Sequence, residues 1–225
     1  GDDNLFVEDV FSTYLYTGNN STLAINNGLD LSGEGGLVWI KGRNGVFYHR
    51  WYDTARGIQN GLSSNVADAQ STNNQGMTAV TSTGFTLGTD GVGNTNPNNS
   101  NMASWSFRKA EGFFDIQTWT GNGTAGKVIS HNLNSVPKMI IVKRTDTTGE
   151  WRVYHVSLGN DAGILLNSTG AAGSYAPLNN TTPTSSQFVL NNNANVNANG
   201  GTYVAYLFGD DAVFGEDSDE SIVKC

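Results

Sequence analysis

Few residues of this chain have the types and spacing that catalysis requires. The carboxylates are the first candidates. Jelly-roll glycosidases place two carboxylates on alternate residues of one strand, so that one acts as acid and the other as nucleophile. The only comparable spacing is Asp217-Ser218-Asp219-Glu220, which lies in an acidic stretch and is best interpreted as a solvated linker. Nucleophile-elbow, zinc-protease, P-loop and dinucleotide-binding motifs are absent from the sequence. We therefore predict that the protein is not an enzyme.

The three histidines are the next candidates, because their side chains titrate near neutral pH. His49 and His155 each follow a tyrosine, and aligning residues 47–49 with residues 153–155 makes them equivalent in an internal repeat. A packing or hydrogen-bonding role inherited with the repeat explains this duplication more readily than metal or acid–base work. His131 stands in a turn. Histidine chemistry therefore predicts no catalytic centre.

Carbohydrate binding would require exposed aromatic rings for stacking and amide groups for the sugar hydroxyls. Tryptophan and asparagine supply both, although a tryptophan in an alternating strand is usually part of the core. We therefore expect burial of the rings of Trp51, Trp119 and Trp151 and keep ligand binding as a second hypothesis. The candidate ligand-binding residues are Trp51, Trp151, His49 and His155.

Calcium is the one metal that the sequence leaves open, and we predict no cofactor. The loop at residues 90–101 offers a single carboxylate, Asp90, which is too few for high affinity. Better ligands are the paired acids at residues 2–3, 8–9, 210–211 and 216–217. We favour a solvated linker for these acids as well.

The spacing of Asp53 and Arg56 predicts an ion pair between them rather than a contact with a ligand. A bidentate Arg–carboxylate clamp is a common way to hold a turn, and this turn follows a predicted strand at residues 46–52. The second half of the chain has no equivalent pair, so we expect a structural role confined to the first half.

Composition and charge argue against two other function classes. The 225 residues carry a formal net charge of -8, whereas nucleic-acid backbones are bound by clustered Lys and Arg. The sequence has no apolar run long enough for membrane insertion, and its single cysteine, Cys225, cannot form an intrachain disulfide. Only 14% of residues are charged, while Gly, Asn, Ser and Thr are abundant. This composition predicts an all-β protein that binds neither nucleic acid nor the membrane interior.

Internal repetition is the strongest sign of the fold. Residues 114–122, Phe-Asp-Ile-Gln-Thr-Trp-Thr-Gly-Asn, echo residues 11–19, Phe-Ser-Thr-Tyr-Leu-Tyr-Thr-Gly-Asn. Three further predicted strands recur in the same order: residues 37–41 match 139–143, residues 85–87 match 188–190, and residues 103–107 match 204–208. So many matches in one order indicate a duplicated building block.

The repeat predicts two tandem β-sandwich domains of the jelly-roll or concanavalin-like kind. The first covers residues 1–110 and the second residues 111–212, followed by an acidic linker and the start of a further repeat at 213–225. A Gly-Asp-Asp motif at residue 1 that returns at residue 209 predicts that the chain is an excerpt of a longer array. One large jelly roll that uses the two copies as its halves is the alternative architecture.

Several strings of this sequence together resemble a known repeat. In the first half they occupy residues 37–41, 53–57, 62–65 and 84–88, and in the second half residues 119–123, 137–144, 151–155 and 199–208. The sequence resembles a repeat of virion and tail-fibre-like proteins of tailed bacteriophages, especially phages of marine bacteria. The resemblance spans nearly the whole chain.

The resemblance implies a place on the surface of a phage particle and a sandwich fold, and it implies no catalytic or binding residue. We expect a non-enzymatic structural and adhesion module of a tail fibre, head fibre or other appendage. Its expected partners are other copies of itself or other virion proteins, and a host-surface glycan. The alternatives are a purely architectural capsid decoration or spacer protein and, third, a glycan depolymerase.

Overall fold

A computed structural model describes residues 5–90, 94–210, 214 and 222–223. These residues form antiparallel sheets, two four-residue helices, α1 (Val7–Val10) and α2 (Ala194–Asn197), and a 3-10 helix at Val156–Leu158. The predicted all-β class is confirmed. The strands are β1 (Phe11–Thr17), β2 (Leu23–Asn26), β3 (Gly36–Gly42), β4 (Arg50–Asp53), β5 (Asn60–Ser63), β6 (Ser71–Thr72), β7 (Met77–Thr81), β8 (Gly84–Leu87), β9 (Asn101–Arg108), β10 (Phe114–Thr120), β11 (Lys127–Ser130), β12 (Met139–Arg144), β13 (Arg152–His155), β14 (Ile164–Leu165), β15 (Gln187–Leu190) and β16 (Thr202–Phe208).

The described residues divide into two compact units. Unit 1 comprises those within Gly1–Ser64, Gln70–Lys109 and Phe214–Glu220, and unit 2 comprises those within Asn65–Ala69, Ala110–Val213 and Ser221–Cys225. The five residues 65–69 therefore belong to unit 2, although the chain on either side of them belongs to unit 1. Most of the predicted linker at 213–225, including the acidic run at 217–220, lies outside the described residues.

Unit 1 is β-sandwich-like, with its core between two antiparallel sheets. The larger sheet has the order β1-β9-β3-β4-β5-β6, and the smaller has the order β2-β8-β7. Alternate residues of a strand point to one face, so one set of side chains from each sheet is buried against the other. The core residues are Ile25, Leu29, Leu31, Val38, Ile40, Tyr52, Met77, Phe85, Leu87 and Met102.

Unit 2 has the same kind of core between a five-stranded sheet, β10-β16-β12-β13-β14, and the two-stranded sheet β11-β15. Apolar residues of both sheets and of the connecting segments share one cluster, and Trp119 packs against it. The core residues are Ile129, Leu133, Ile140, Val142, Tyr154, Leu178, Phe188, Leu190, Val196, Ala205 and Leu207.

The strand order of unit 2 repeats that of unit 1. The order β10-β16-β12-β13-β14 corresponds to β1-β9-β3-β4-β5, and the pair β11-β15 corresponds to β2-β8. The register agrees as well, since Phe11 lies opposite Phe107 and Phe114 lies opposite Phe208. Both phenylalanine pairs have ring centroids 5.0 Å apart at an interplanar angle of 52°. Unit 1 adds β6 and β7, for which unit 2 has no named counterpart among the described residues.

The repeated Thr-Gly-Asn motif has a physical cause in each unit. A Cβ atom on Gly18 would lie 2.1 Å from the Pro97 carbonyl oxygen, and one on Gly121 would lie 2.1 Å from that of Ala198. Only glycine lets the backbones approach so closely. The asparagine that follows glycine then pairs with a fully buried asparagine, Asn96 in unit 1 and Asn197 in unit 2.

The Asn–Asn pair satisfies the buried side-chain amide of Asn96 or Asn197 and joins it to the loop that carries the Thr-Gly-Asn motif. In unit 2 the Asn122 backbone N–H donates to Asn197 Oδ1 at 2.9 Å, and Asn197 Nδ2 donates to Asn122 Oδ1 at 3.1 Å and to the Thr124 carbonyl at 2.8 Å. In unit 1 the Asn19 N–H donates to Asn96 Oδ1 at 2.9 Å, and Asn96 Nδ2 donates to Asn19 Oδ1 at 3.0 Å. The motif is therefore a structural clasp between two loops.

Two predicted strands differ from the observed ones. The predicted strand at residues 46–52 begins only at Arg50, because residues 46–49 form no ladder with β3. The sequence also predicts a strand at 62–68, but the observed strand ends at Ser63, since residues 65–69 belong to unit 2. The Asn44-Gly45 dipeptide predicts a hairpin, because both positions tolerate positive φ. It does lie between two paired strands, but the connection is seven residues long and not a tight two-residue turn.

The Asp53–Arg56 ion pair is confirmed and is buried. Arg56 Nε donates to Asp53 Oδ2 at 2.6 Å, and the Arg56 backbone N–H donates to Asp53 Oδ1 at 2.8 Å. The side chains are 0% and 4% exposed for Asp53 and Arg56, respectively. The guanidinium also donates to Gln70 and to the Trp51 carbonyl, so it fixes the chain beyond β4.

His131 gives unit 2 a defined pH response. Its Nδ1 accepts from the Leu133 backbone N–H at 3.3 Å, so the proton is on Nε2, which faces the Thr184 carbonyl at 3.2 Å. Burial lowers the pKa of His131 below its ordinary value, with the Thr184 bond opposing this. Between this lowered pKa and about pH 6.5, the unfolded chain therefore binds more protons than the folded one.

We expect the free energy of unfolding to fall as pH drops from about 6.5 toward the lowered pKa of His131, at no more than about 1.4 kcal/mol per pH unit. The His131→Gln variant should lose this part of the slope. Urea unfolding of both proteins across this pH range measures the difference. An unchanged slope in the variant would show that His131 does not couple to folding.

Candidate functional site

The structure places the two predicted ligand-binding tryptophans in the interior. Trp51 is 4% exposed, and its ring centroid lies 5.8 Å from that of Trp39. Trp151 is 0% exposed, and its Nε1 donates to the Val66 carbonyl at 3.0 Å. The expected burial of these two rings is confirmed, and neither ring presents a face to a sugar in this structure.

The predicted equivalence of His49 and His155 is wrong. Opposite Leu37 in β3 lies Asp53, whereas opposite the corresponding Met139 in β12 lies His155. His155 therefore corresponds to Asp53, and the tyrosine before it corresponds to Tyr52 and not to Tyr48. The reason is that the sheet register is set by the apolar residues of β3 and β12, which the shared Tyr-His dipeptide does not follow.

His49 corresponds instead to Trp151. Each residue directly precedes the fourth strand of its unit, and each backbone carbonyl accepts an equivalent hydrogen bond, from Ser64 at 2.9 Å and from Leu166 at 3.1 Å. Partial burial, and then the nearby Lys41 ammonium, lower the pKa of His49. His155 Nδ1 accepts from the Ser157 backbone N–H at 3.2 Å and caps the 3-10 helix. The four predicted residues thus lie in two different units, and only His49 and Trp151 occupy corresponding positions.

A buried lysine explains why residues 65–69 belong to unit 2. Lys143 is 0% exposed, and its Nζ donates to the Arg144 carbonyl at 2.6 Å and to the Ala67 carbonyl at 3.2 Å. The Ala67 carbonyl also accepts from the Gly149 backbone N–H at 2.8 Å. The Trp151 ring centroid lies 6.0 Å from the ammonium. Backbone carbonyls and an aromatic face thus contribute to offsetting the cost of burying the charge.

An open depression of about 220 Å³ on unit 2 is the candidate ligand site, and we call it the polar cleft. Asp161 comes from the segment after the 3-10 helix, and most of the lining comes from the connection between β14 and β15. Leu178 forms an apolar floor. The lining residues are Asp161, Ser174, Ala176, Leu178, Asn179, Asn180 and Asn191.

Backbone bonds hold the lining of the polar cleft in place. Asn191 Nδ2 donates to the Ala176 carbonyl at 2.8 Å and to the Leu178 carbonyl at 3.3 Å. The Asn179 backbone N–H donates to the Val189 carbonyl at 2.9 Å, which ties the lining to β15. Asn180 adopts a left-handed conformation with φ of 48°, which asparagine tolerates better than most residues. The cleft is therefore built on anchored backbone.

The polar cleft presents hydrogen-bonding groups to solvent. Asp161, Asn179 and Asn180 are exposed, and within the described part of the chain no protein group hydrogen-bonds to their side chains. A carboxylate accepts two or more hydrogen bonds, and each amide both donates and accepts. This arrangement suits a ligand with many hydroxyl groups. Sequence reasoning missed these residues, because polar side chains in an irregular connection carry no periodic signal.

The structure does not assemble a metal site from the residues it describes. No group of three or more His, Cys, Asp or Glu side chains converges within residues 5–90, 94–210, 214 and 222–223. Asp90 uses Oδ1 to accept from the Thr95 N–H at 2.9 Å and its hydroxyl at 3.0 Å, which shapes its own loop. Most of the paired acids considered for calcium lie outside the described residues. The described helices are also too short to cross a membrane.

Comparison with known proteins gives one match. Neither the curated proteins nor the solved structures include a match to this chain. A family model described as Domain of unknown function (DUF7483) matches residues 7–216, which include strands of both units. The match covers well over half of the 225 residues, so the chain belongs to the DUF7483 family.

Proposed function

We propose that this chain is a non-enzymatic structural and adhesion module of a bacteriophage virion. It forms part of a tail fibre, head fibre or other appendage on the virion surface, where it contacts copies of itself or other virion proteins and binds a host-surface glycan. In this proposal the two units are tandem jelly-roll or concanavalin-like sandwiches. Support comes from the resemblance of the sequence to phage repeats and from the shared strand order of the units.

The polar cleft is the observation that carries the adhesion half of the proposal. Neighbouring hydroxyls of a sugar both donate and accept hydrogen bonds, and Asn179, Asn180 and Asp161 offer the complementary groups. The rigid backbone under them lowers the entropy lost on binding. An apolar ligand would gain little there, because the exposed lining is mostly polar.

We expect the paired change Asn179→Ala and Asn180→Ala to weaken binding to host envelope polysaccharide by about tenfold or more, since roughly two hydrogen bonds of about 1 kcal/mol are lost. Biolayer interferometry on immobilised polysaccharide measures this loss. The control is Asn98→Ala, which removes an exposed amide from unit 1 and should bind like the parent.

The outcomes separate this proposal from its alternatives. A parent protein that binds no host polysaccharide would leave the purely architectural role as the better explanation. A double variant that binds as well as the parent would move the glycan site away from the polar cleft. Incubation with the polysaccharide should leave its chain length unchanged, and progressive shortening would establish a depolymerase.

A further inference from the structure

Sheet edges are sites where another chain can add a strand, and most edges of this protein are protected from that. The outer strands β6 and β14 have two residues each, and β2, β11 and β15 have four each. Strand β7 has a register irregularity between Met77 and Ala79. Short length and bulges are both known ways to prevent edge pairing. Strands β1 and β10, with seven residues each, are the long outer strands among those described.

Of these two long edges, β1 is the open one. The first three residues of β10 are buried, and one of them is Asp115. No residue of β1 is buried, and its sequence, Phe-Ser-Thr-Tyr-Leu-Tyr-Thr, carries no charge or proline. Leu15 is 59% exposed. Strand β1 is thus an uncharged strip with high β propensity on a chain of net charge -8.

The backbone direction shows which groups of β1 face outward. The Gly18 N–H, just after β1, donates to the Ser100 carbonyl on the β9 side at 2.9 Å. Because successive residues of a strand alternate sides, the N–H and C=O groups of Phe11, Thr13, Leu15 and Thr17 point away from β9. The Phe11 N–H donates to the Val7 carbonyl of α1. Within the described part of the chain, no hydrogen bond is made to the outward groups of Thr13, Leu15 and Thr17.

We propose that β1 pairs antiparallel with β1 of a second copy of this chain, which joins two six-stranded sheets into one across a two-fold axis. This inference deepens the assembly half of the proposed function and rests on it. Two copies that repel through their net charge meet along an edge that has none. A two-fold interface uses the same edge of both copies, so no open β1 edge remains and the product is a dimer.

The register of full overlap places Tyr14 opposite its own counterpart and Thr13 opposite Leu15 of the other copy. In this register each Thr13–Leu15 pair exchanges two N–H···O bonds, and each Phe11–Thr17 pair adds one, because the Phe11 N–H already donates to Val7. Side chains that point to the core in one copy lie beside side chains that point to the core in the other, because the residue numbers of each pair are both odd or both even. The exposed Leu15 side chain gains a neighbour on its own face.

Introducing charged side chains of either sign at Thr13 and Leu15 tests the pairing. One variant carries Thr13→Lys with Leu15→Lys, and the other carries Thr13→Glu with Leu15→Glu. Both positions are exposed, so the fold should be retained. Alone, each variant places like charges opposite each other, and its dimerisation should be at least tenfold weaker than that of the parent. An equimolar mixture places lysine opposite glutamate and should form mixed dimers.

Sedimentation velocity from micromolar to near-millimolar protein is the measurement, with reductant present to keep the Cys225 thiol from forming interchain disulfides. Thr118→Lys with Thr120→Lys on β10 is the matched control and should dimerise like the parent. A monomeric parent, charge variants that still dimerise alone, a mixture that stays monomeric, or open-ended assemblies would each overturn the inference. Polysaccharide binding by the same variants should be unchanged, so failure of the pairing and failure of glycan adhesion are distinguishable.

Discussion

Replacing Asp53 by alanine should lower the free energy of unfolding by about 3–5 kcal/mol, because it leaves the buried Arg56 guanidinium without its carboxylate. The Asp53 and Arg56 side chains are 0% and 4% exposed, so water cannot replace the lost partner without opening the turn. Guanidinium chloride unfolding followed by tryptophan fluorescence measures the change, since the buried Trp51 lies two residues before Asp53 in β4.

A surface pair supplies the control for this measurement. Glu34 lies 3.9 Å from Arg108, and its side chain is 61% exposed. We expect Glu34→Ala to change stability by less than about 0.5 kcal/mol. If Asp53→Ala proved equally mild, the buried pair would contribute no more to folding than an ordinary surface contact.

The second large effect is expected at the buried asparagines of the two clasps. Asn197→Ala should cost about 3 kcal/mol, since it removes three hydrogen bonds of about 1 kcal/mol each that are made by a fully buried side chain. Asn96→Ala should cost at least as much in unit 1, because the Asn96 side-chain amide also donates to the Ser21 and Gly88 carbonyls. Both asparagines are 0% exposed.

Thermal unfolding of the two variants checks this expectation. The control is Asn192→Ala, which removes an exposed amide that makes no side-chain bond within the described residues. A loss of stability in only one of the two buried variants would contradict the idea that the Thr-Gly-Asn motif performs the same task in both units. Asn122→Ala in combination with Asn197→Ala should cost less than the sum of the two single changes, because they share bonds.

Strands can be predicted from the sequence because alternation of apolar residues is a local property. The matches of residues 37–41 with 139–143 and of 103–107 with 204–208 agree with the observed registers. The match of His49 with His155 failed because a shared dipeptide says nothing about which residues pair across a sheet. Apolar patterning carries that information, and it aligns β3 with β12.

The polar cleft could not be predicted from the sequence, for a different reason. Asp161, Asn179 and Asn191 are up to thirty residues apart in an irregular part of the chain, and only the tertiary fold brings them together. Polar residues in a connection without periodicity are typical of any surface loop. Trp51 and Trp151 stood out by residue type, but their burial follows from sheet position, which residue type alone does not determine.

Because residues 65–69 belong to unit 2, the chain cannot be cut between the two halves without removing part of unit 2. A fragment that starts at Ala110 would keep every strand of unit 2 and still lack the Ala67 carbonyl that Lys143 uses and the Val66 carbonyl that Trp151 uses. In the first half, Lys41 and His49 stand at the positions of Lys143 and Trp151. The two units share a strand order, yet unit 2 includes five residues that lie within the part of the sequence that otherwise forms unit 1. Exchange of one half alone would therefore separate the Lys143 ammonium from one of its acceptors and the Trp151 indole from the Val66 carbonyl.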